Sequence, residues 1–239
     1  MTSTPRLFVT GDLAPAARVL VPAEQAHYLG QVMRRRVGDA VRLFNGRDGE
    51  WLARITVLDR RNAELRAGER LREQAPEPGS WLLFAPLKRD ATDLVVQKAT
   101  ELGAEAILPV MTDRTNTARV NEGRLTAIAV EAAEQSERLT VPVIHAPQSL
   151  HRALETFPVT RRLFVAVERF DGPILSGGAS PGGADSGLLV GPEGGFTQAE
   201  LDAFDRCPIV TRVSLGPRVL RAETACLAGL ALLQAPGCG

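Results

Sequence analysis

The sequence predicts an α/β protein in which a small β-domain precedes a larger domain built on a parallel sheet. Two differently patterned regions are separated by Glu73–Ser80, which holds two prolines, one glycine and no apolar side chain larger than alanine. Such a composition is typical of a linker between domains. We therefore predict a first domain over residues 1–73 and a second domain over residues 74–239.

The first region has the pattern of short strands. Its apolar runs are separated by turn pairs such as Asn45-Gly46 and Asp48-Gly49. This spacing is typical of a small β-barrel or β-sandwich, with hairpins at Asn45–Gly49 and near Asp59–Asn62. The predicted strands are Leu7–Val9, Val41–Phe44, Trp51–Leu58 and Ala63–Ala67.

The second region alternates strand-like runs with helical patterns, which predicts a parallel sheet with helices on both faces. Within it, Ser176–Gly187 has five glycines in twelve residues and predicts a flexible surface loop without chemistry of its own. The predicted strands are Trp81–Leu87, Ala106–Val110, Val141–Ile144, Arg162–Val167, Leu188–Val190 and Ile209–Val213.

Two predicted helices of the second region carry polar residues on their flanks. In Arg89–Leu102, Lys98 falls inside an apolar stripe, and a surface pair with Glu101 is favoured over a buried ion pair beside a pocket. In Glu122–Leu139, a polar ridge and the pair Glu134 and Arg138 are best explained by a solvated, salt-bridged face. The stripe of the first helix is Ala91, Leu94, Val95, Ala99 and Leu102, and the ridge of the second is Glu131, Gln135 and Arg138.

The charge of the chain is balanced overall, with 28 basic and 28 acidic residues, but it is unevenly distributed. Residues 1–75 hold 13 arginines against 9 carboxylates, a net charge of +4, and the rest of the chain has a net charge of −4. The first third is therefore the candidate for contact with a polyanion.

The composition also argues against several classes of protein. No stretch approaches the roughly 20 apolar residues of a membrane span, and Met1–Thr10 lacks the apolar run of a signal peptide. Three cysteines and three histidines occur without C-x-x-C or H-x-x-x-H spacing, which disfavours disulfides and structural zinc. We expect a soluble cytoplasmic protein that does not enter a membrane.

The segment Leu188–Glu200 is the first informative motif. A strand leads into Gly191–Gly195, and Thr197 with Glu200 forms a capping box that begins a helix. Glycines between a strand and a helix let backbone N–H groups approach a ligand, although an ordinary tight turn would also use them. The sequence contains neither G-x-G-x-x-G nor G-x-x-x-x-G-K-[ST], which disfavours a dinucleotide site and a P-loop.

The second motif is Val213–Thr224, which precedes the apolar helix Ala225–Leu233. Glu223 suits the N-terminal end of that helix through the helix dipole. Arg221 has no nearby carboxylate in the sequence except Glu223, so its guanidinium could be directed at a ligand.

Together these segments resemble the RsmE family of SPOUT-superfamily methyltransferases. The similarity runs over nearly the whole chain, and the two glycine-containing blocks are its most specific part. The matching residues are His27-Tyr-Leu, Val32-Met-Arg34, Gly38-Asp39, Lys88, Gln97–Gly103, Pro109, Arg114, Glu134-Gln135, Arg138, Gly191–Gly195, Leu215–Arg221 and Glu223-Thr224.

The resemblance implies a SPOUT-type α/β trefoil-knot domain, with the knot near residues 190–225, preceded by a PUA-like β-barrel. It implies an S-adenosylmethionine-dependent enzyme that methylates N3 of a uridine in 16S ribosomal RNA, without a metal. It further implies a homodimer whose pockets lie near the subunit interface, and ribosomal RNA or an assembled small subunit as the substrate. The implied cofactor-binding residues are Gly191, Pro192, Glu193, Gly194, Gly195, Leu215, Gly216, Val219 and Leu220.

Methylation of uracil N3 requires loss of its proton and stabilisation of the resulting imide anion. A guanidinium matches that charge, so Arg221 is the first catalytic candidate. The proton acceptor is Glu223, Glu134 or solvent. Lys98, Glu101, Gln135 and Arg138 would shape or support the pocket. The candidate RNA-binding residues are Arg34, Arg35, Arg36, Lys88, Arg114 and Arg138.

Two other functions compete with this interpretation. A non-catalytic RNA-binding assembly factor could keep the same fold, but the intact blocks Gly191–Gly195 and Arg218–Thr224 argue against such a loss of activity. An α/β enzyme acting on a phosphorylated small molecule would leave the basic first domain unexplained.

Overall fold

The computed structural model describes residues 4–116, 119–175 and 184–235. The chain forms two compact units. The first unit is Met1–Pro76 together with Ala133–Thr140, and the second is Glu77–Ala132 together with Val141–Gly239. The short segment Ala133–Thr140 therefore belongs to the first unit, although it is far from Met1–Pro76 in the sequence. The sequence pattern did not predict this grouping.

The first unit is built on a five-stranded sheet in the order β1-β3-β4-β5-β2. β1 pairs with β3 in parallel and the other pairs are antiparallel, so the predicted hairpins at Asn45–Gly49 and Asp59–Asn62 are confirmed. β1 and β2 are the two edge strands of this sheet, and the described strands do not close the sheet into a barrel. The strands are β1 (Arg6–Phe8), β2 (Arg18–Val21), β3 (Ala40–Phe44), β4 (Glu50–Leu58) and β5 (Ala63–Arg72).

One face of this sheet is buried. Alternate residues of β2 and β5 are buried, as the two-residue period of a strand requires. A short helix, α1 (Ala23–His27), and a π-helical turn (Tyr28–Val32) add Ala26 and Leu29 to the same core. β2 and α1 were not predicted from the sequence.

The second unit contains a seven-stranded sheet in which every pair is parallel. The order is β12-β10-β11-β6-β7-β8, and β9 also pairs with β7. The strands are β6 (Trp81–Phe84), β7 (Ala106–Met111), β8 (Val143–Ile144), β9 (Gln148–Ser149), β10 (Arg162–Ala166), β11 (Ser186–Val190) and β12 (Val210–Val213).

Alternating strand residues supply two separate apolar cores, one on each face of this sheet. Leu82 and Leu188 pack with residues of α2, α3 and α6 on one face, and Leu83 and Leu189 pack with residues of α4 and α5 on the other. The predicted parallel sheet with helices on both faces is thus confirmed. The helices are α2 (Arg89–Glu101), α3 (Glu122–Gln135), α4 (Leu150–Thr156), α5 (Gln198–Arg206) and α6 (Ala222–Gln234). None of the helices in the described part of the chain is both long and apolar enough to cross a membrane.

Helix α2 differs in one respect from its predicted stripe. Lys98 Nζ lies 2.8 Å from Glu101 Oε1, and both side chains are about a third exposed, which confirms the surface pair. Leu94 was predicted to be buried, and this was wrong because 39% of the residue is exposed. The buried face of α2 is instead formed by Thr92, Val95, Val96, Ala99 and Thr100.

Helix α3 ends at Gln135, four residues before its predicted end. Glu137 has φ of 58°, a left-handed conformation that a continuing α-helix does not allow. The predicted polar ridge was therefore wrong for Arg138, which lies beyond the helix and is only 9% exposed.

The predicted glycine-rich loop is only partly described. Residues 176–183 lie outside the described part of the chain, whereas Ser186 and Gly187 are buried residues of β11 and not loop residues. Gly187 fits there because a Cβ at this position would lie 2.7 Å from the ring of Phe157.

Candidate active site

A cavity of about 470 Å³ lies in the second unit, where three chain connections leave the carboxyl ends of β10, β11 and β12. Its volume falls in the range of small-molecule sites, and its position is the usual one for ligands of open α/β sheets. The lining residues are Ala166, Val167, Glu168, Arg169, Val190, Gly191, Pro192, Glu193, Gly195, Phe196, Leu201, Ser214, Leu215, Gly216, Arg218, Val219, Leu220, Arg221, Ala222 and Ala225.

The connection after β11 forms a tight glycine turn on the cavity wall. Gly195 N donates to Pro192 O over 2.9 Å, and Gly195 has φ of 67°, which favours glycine. A Cβ on Gly191 would lie 2.9 Å from the ring of Phe196, so the backbone and this ring are in close contact. The turn therefore presents backbone to the cavity at positions where side chains do not fit.

The loop after β7 holds this glycine turn from its other side. Arg114 Nη1 donates to Gly194 O over 2.7 Å. The side chain also packs against the turn, because a Cβ on Gly194 would lie 3.3 Å from Arg114 Cδ. Gly194 itself does not line the cavity. Arg114, a candidate RNA-binding residue, is thus placed as a support of the glycine turn.

Glu200 fixes the beginning of α5 relative to the same loop. Its Oε2 accepts from Thr197 N over 2.7 Å and its Oε1 accepts from Asp113 N over 2.9 Å. Thr197 completes the predicted capping box, which is confirmed, and its Oγ1 donates to Asp113 Oδ2. Because Glu200 is only 7% exposed, its carboxylate holds these backbone groups in a largely water-free setting.

The connection after β12 forms the second wall of the cavity. Gly216 has φ of 108°, a conformation that side chains rarely adopt, and its N–H donates to Ser214 Oγ. Ser214 is also fixed through its backbone, since its N–H donates to Pro173 O and its carbonyl accepts from Leu175 N, both over 2.9 Å. The segment that leaves β10 therefore runs beside the start of the second wall.

Arg221 lies at the N-cap of α6 and lines the cavity, with its side chain exposed. Glu223 is in the first turn of the same helix but does not line the cavity. Burial raises the pKa of the Cys226 thiol, and the charge of Glu223 raises it further. Cys226 is therefore a neutral thiol of the core and not a nucleophile.

Three charged residues of the cavity, Glu168, Arg169 and Arg218, were not among the predicted site residues. Glu168 and Arg169 follow β10, and Arg169 Nε lies 3.3 Å from Glu168 Oε1. Arg169 has φ of 54°, a left-handed conformation uncommon for a residue with a side chain. Their position just after a predicted strand was the available signal, because ligands bind at the carboxyl ends of parallel strands.

The other predicted site residues lie outside the cavity. Glu134 and Arg138 belong to the first unit, where Glu134 Oε1 accepts from Phe8 N over 2.8 Å. Arg34 and Arg36 are exposed and Arg35 is half-buried, on the segment that leads into β3 of the first unit. The cavity thus brings together Arg221 and eight of the nine predicted cofactor residues, all except Gly194.

Lys88 lies in the second unit, exposed at the N-cap of α2. Like Arg114, it is a candidate RNA-binding residue that does not line the cavity.

Comparison with known proteins gives consistent matches. Residues 75–234 match the family described as RNA methyltransferase domain, and residues 21–67 match the RNA methyltransferase PUA domain. Ribosomal RNA small subunit methyltransferase E of Rickettsia conorii is 34% identical over 233 residues, covering 97% of this chain and 96% of that protein.

Two solved structures are similar to the whole chain. A Legionella pneumophila protein in complex with the bound cofactor SAM has a TM-score of 0.86 at 26% identity, covering 98% of both chains. Ribosomal RNA small subunit methyltransferase E of Neisseria gonorrhoeae, bound to S-adenosyl methionine, has a TM-score of 0.80 at 30% identity, covering 96% of both chains.

Proposed function

Because this chain belongs to the ribosomal RNA small subunit methyltransferase E family, we propose that it transfers a methyl group from S-adenosylmethionine to N3 of a uridine in small-subunit ribosomal RNA. The observation that carries this proposal is the cavity, whose two walls are the glycine-containing connections and whose lining includes Arg221. Relatives of known structure that contain the cofactor support the choice of methyl donor.

The cavity fits this cofactor in size and in chemistry. Its walls combine backbone of the two glycine-containing connections, including Gly191, Gly195 and Gly216, with the apolar side chains of Val190 and Leu201. An adenine ring needs flat apolar walls and a few amide partners, and glycines that leave no room for a Cβ allow a close approach to the backbone. When bound, S-adenosylmethionine supplies a methyl group already activated by its sulfonium.

The chain's own residues must place the uracil and stabilise charge. Loss of the N3 proton leaves an imide anion whose charge is spread over O2 and O4. The Arg221 guanidinium, exposed at the N-terminal end of α6, can donate to such oxygens from two N–H groups at once. Correct positioning of the reactants contributes about 7–11 kcal/mol in well-oriented systems.

Glu223 is our candidate for the acceptor of the N3 proton. It lies in the first turn of α6, two residues after Arg221, and because it does not line the cavity it would take the proton through a bridging water molecule. Glu134 fits this role less well, because its Oε1 already accepts the backbone N–H of Phe8 within the first unit. Solvent is the remaining candidate for the acceptor. The Glu223→Gln variant distinguishes Glu223 from solvent: turnover should fall if Glu223 accepts the proton and should stay nearly unchanged if solvent accepts it.

The finer topology of the second unit is also a proposal. We infer that the chain is knotted near residues 190–225, as in SPOUT methyltransferases. Support comes from the path of the chain: it passes from β11 inside the sheet to β12 at the edge, and α6 then returns to pack against residues of β6 and β11. The segment beside Ser214, which leaves β10, would form the encircling part of such a knot.

We further propose that the protein works as a homodimer in the cytoplasm, where ribosomal RNA is made and assembled. Leu94 on α2 and Val219 on the cavity wall are exposed apolar side chains that a second subunit could cover. Light scattering on the purified protein tests the dimer, and a monomer at micromolar concentration would contradict it.

The decisive experiment measures methyl transfer to small-subunit ribosomal RNA that lacks the modification, offered both as free RNA and as an assembled subunit. Digestion to nucleosides and mass spectrometry should then detect 3-methyluridine. Calorimetry with S-adenosylmethionine alone provides the companion measurement. Cofactor binding without methyl transfer to either substrate would favour an assembly factor, and a methyl group on another atom would contradict the N3 assignment.

A further inference from the structure

Three arginines form a row across the outer face of the first unit's sheet. Arg18 on β2 is the cross-strand partner of Arg66 on β5, and Arg66 is the partner of Arg54 on β4. All three are exposed. Since neighbouring strands lie about 4.8 Å apart, the row places three positive charges within about 10 Å along the sheet. We call Arg18, Arg54 and Arg66 the arginine row.

The arginine row is not explained by the stability of the fold. Like charges directly opposite each other on neighbouring strands destabilise the sheet. Glu64 offsets part of this through two contacts with Arg18, at 3.0 Å and 2.6 Å. Among the described residues, neither Arg54 nor Arg66 forms a salt bridge.

Protection of a sheet edge does not explain the row either. Charged residues on an edge strand prevent unwanted pairing with other chains, and β2 is an edge strand. That argument accounts for Arg18, but Arg54 and Arg66 lie on β4 and β5, which are paired on both sides.

The row continues into a second group of arginines. Arg54 Nη1 donates to Gly38 O over 2.9 Å, in the turn that follows Arg34 and Arg36. Both of these arginines are exposed. The outer face of β4, the turn at Gly38 and the preceding residues therefore form one positively charged surface. Next to it on β2, Leu20 is 77% exposed and points to the same face as Arg18.

We propose that the arginine row binds the phosphate backbone of the RNA substrate, an inference that rests on the proposed function. Guanidinium groups donate to phosphate oxygens in pairs, and a row of them suits the repeating charges of a nucleic acid strand. Such contacts position an RNA without reading its sequence. The exposed Leu20 adds an apolar surface on which a ribose or a base can rest.

The test compares two variants that lose the same charge. The first is Arg18→Gln, Arg54→Gln and Arg66→Gln together, and the second, a matched control in the other unit, changes the exposed Arg152, Arg162 and Arg206 to Gln. Binding to unmodified small-subunit ribosomal RNA is measured by filter retention over a range of salt concentrations. Calorimetry with S-adenosylmethionine and thermal unfolding show whether each variant is folded.

The row variant should bind RNA at least about tenfold more weakly at 0.1 M salt. The slope of log Kd against log salt should fall by about one for each arginine lost, two to three in all. Cofactor affinity should remain unchanged, and the melting temperature should change little, because the removal of like-charge repulsion offsets the loss of the Arg18–Glu64 pair and of the Arg54–Gly38 hydrogen bond. The control variant should keep the wild-type salt slope.

Unchanged RNA affinity and slope in the row variant would overturn the inference, as would an equal loss in the control. If the wild type methylates RNA and the row variant binds RNA normally, RNA binding by the arginine row is refuted and the proposed function stands. If the wild type neither binds nor methylates RNA, both are refuted. A membrane-binding role is the other outcome that would contradict the proposal. In that case the wild type and the control variant would bind phosphatidylserine vesicles, and the row variant would lose vesicle binding but keep its affinity for RNA.

Discussion

Arg114 Nη1 donates a hydrogen bond of 2.7 Å to the carbonyl oxygen of Gly194, so that a guanidinium on the loop after β7 holds the glycine turn of the cavity. Gly194 does not itself line the cavity, and its carbonyl is directed to Arg114. The residue therefore acts on the cavity through the backbone of the turn.

Arg114→Ala should weaken the binding of S-adenosylmethionine by about tenfold. A hydrogen bond to a charged group contributes about 1.5–3 kcal/mol, and the exposure of Arg114 reduces this value. Calorimetry measures the Kd, and Arg152→Ala on α4 is the control. If RNA affinity fell while cofactor affinity stayed the same, Arg114 would be an RNA-binding residue instead.

Arg221→Ala should keep cofactor affinity and lower kcat for methyl transfer by about 10²–10³-fold, because a donor directed at developing charge is lost. Single-turnover measurements with saturating cofactor and RNA separate this effect from substrate binding. Arg221→Lys should recover only part of the rate, since an ammonium cannot donate in the same forked geometry. Turnover at the wild-type level in Arg221→Ala would refute the role.

Gly216→Ala should destabilise the second wall of the cavity. The residue has φ of 108°, and although a Cβ would meet no atom within 4 Å, the backbone conformation is strained for any side chain. We expect a cost of about 1–2 kcal/mol or a displaced wall with weaker cofactor binding. Gly11→Ala, where space is open and φ is not positive, is the control and should change neither the melting temperature nor the Kd.

Arg6→Met should lower the free energy of unfolding by about 3 kcal/mol. The guanidinium is buried and bonds to the carboxylate of Glu50 and to the carbonyl oxygens of Ala133 and Arg138. Loss of one partner leaves the other buried and poorly compensated. Thermal unfolding followed by tryptophan fluorescence measures the change. Arg47→Met, which removes an exposed pair with Asp12, should cost less than about 1 kcal/mol.

His145 makes stability depend on pH in the mildly acidic range. Burial lowers its pKa, and its ring lies 4.9 Å from that of Trp81. The folded state disfavours the protonated form of His145. The stability that neutral His145 contributes is therefore complete at pH values above the pKa of about 6.5 that histidine has in the unfolded state, and it is lost as the pH falls below that pKa. The melting temperature of His145→Gln should therefore fall less between pH 7 and pH 5.5 than that of the wild type.

Local patterns predicted the elements well. The turn pairs around Asn45–Gly49 and the capping box of Thr197 and Glu200 act over a few residues, so the sequence alone was sufficient to identify them. The glycine connections of the cavity were predictable for the same reason, since their residues are contiguous in the chain.

Contacts between distant residues were not predictable. The helix pattern continued smoothly past Gln135, but Arg6 bonds to carbonyl groups 127 and 132 residues away, and Phe8 bonds to Glu134, 126 residues away. Arg114 and Gly194 are 80 residues apart. One-dimensional periodicity contains no information on such partners, so Arg138 was assigned to a solvated ridge and the contact between Arg114 and Gly194 was not predicted.

The grouping of Ala133–Thr140 with the first unit limits how this chain can be recombined. Cutting at the proline-rich linker would produce a fragment in which Arg6 keeps Glu50 but loses its carbonyl acceptors. A chimera that exchanges the N-terminal domain with that of a homologue must therefore transplant the distant octapeptide as well. The N-terminal domain and this octapeptide must both come from the same protein.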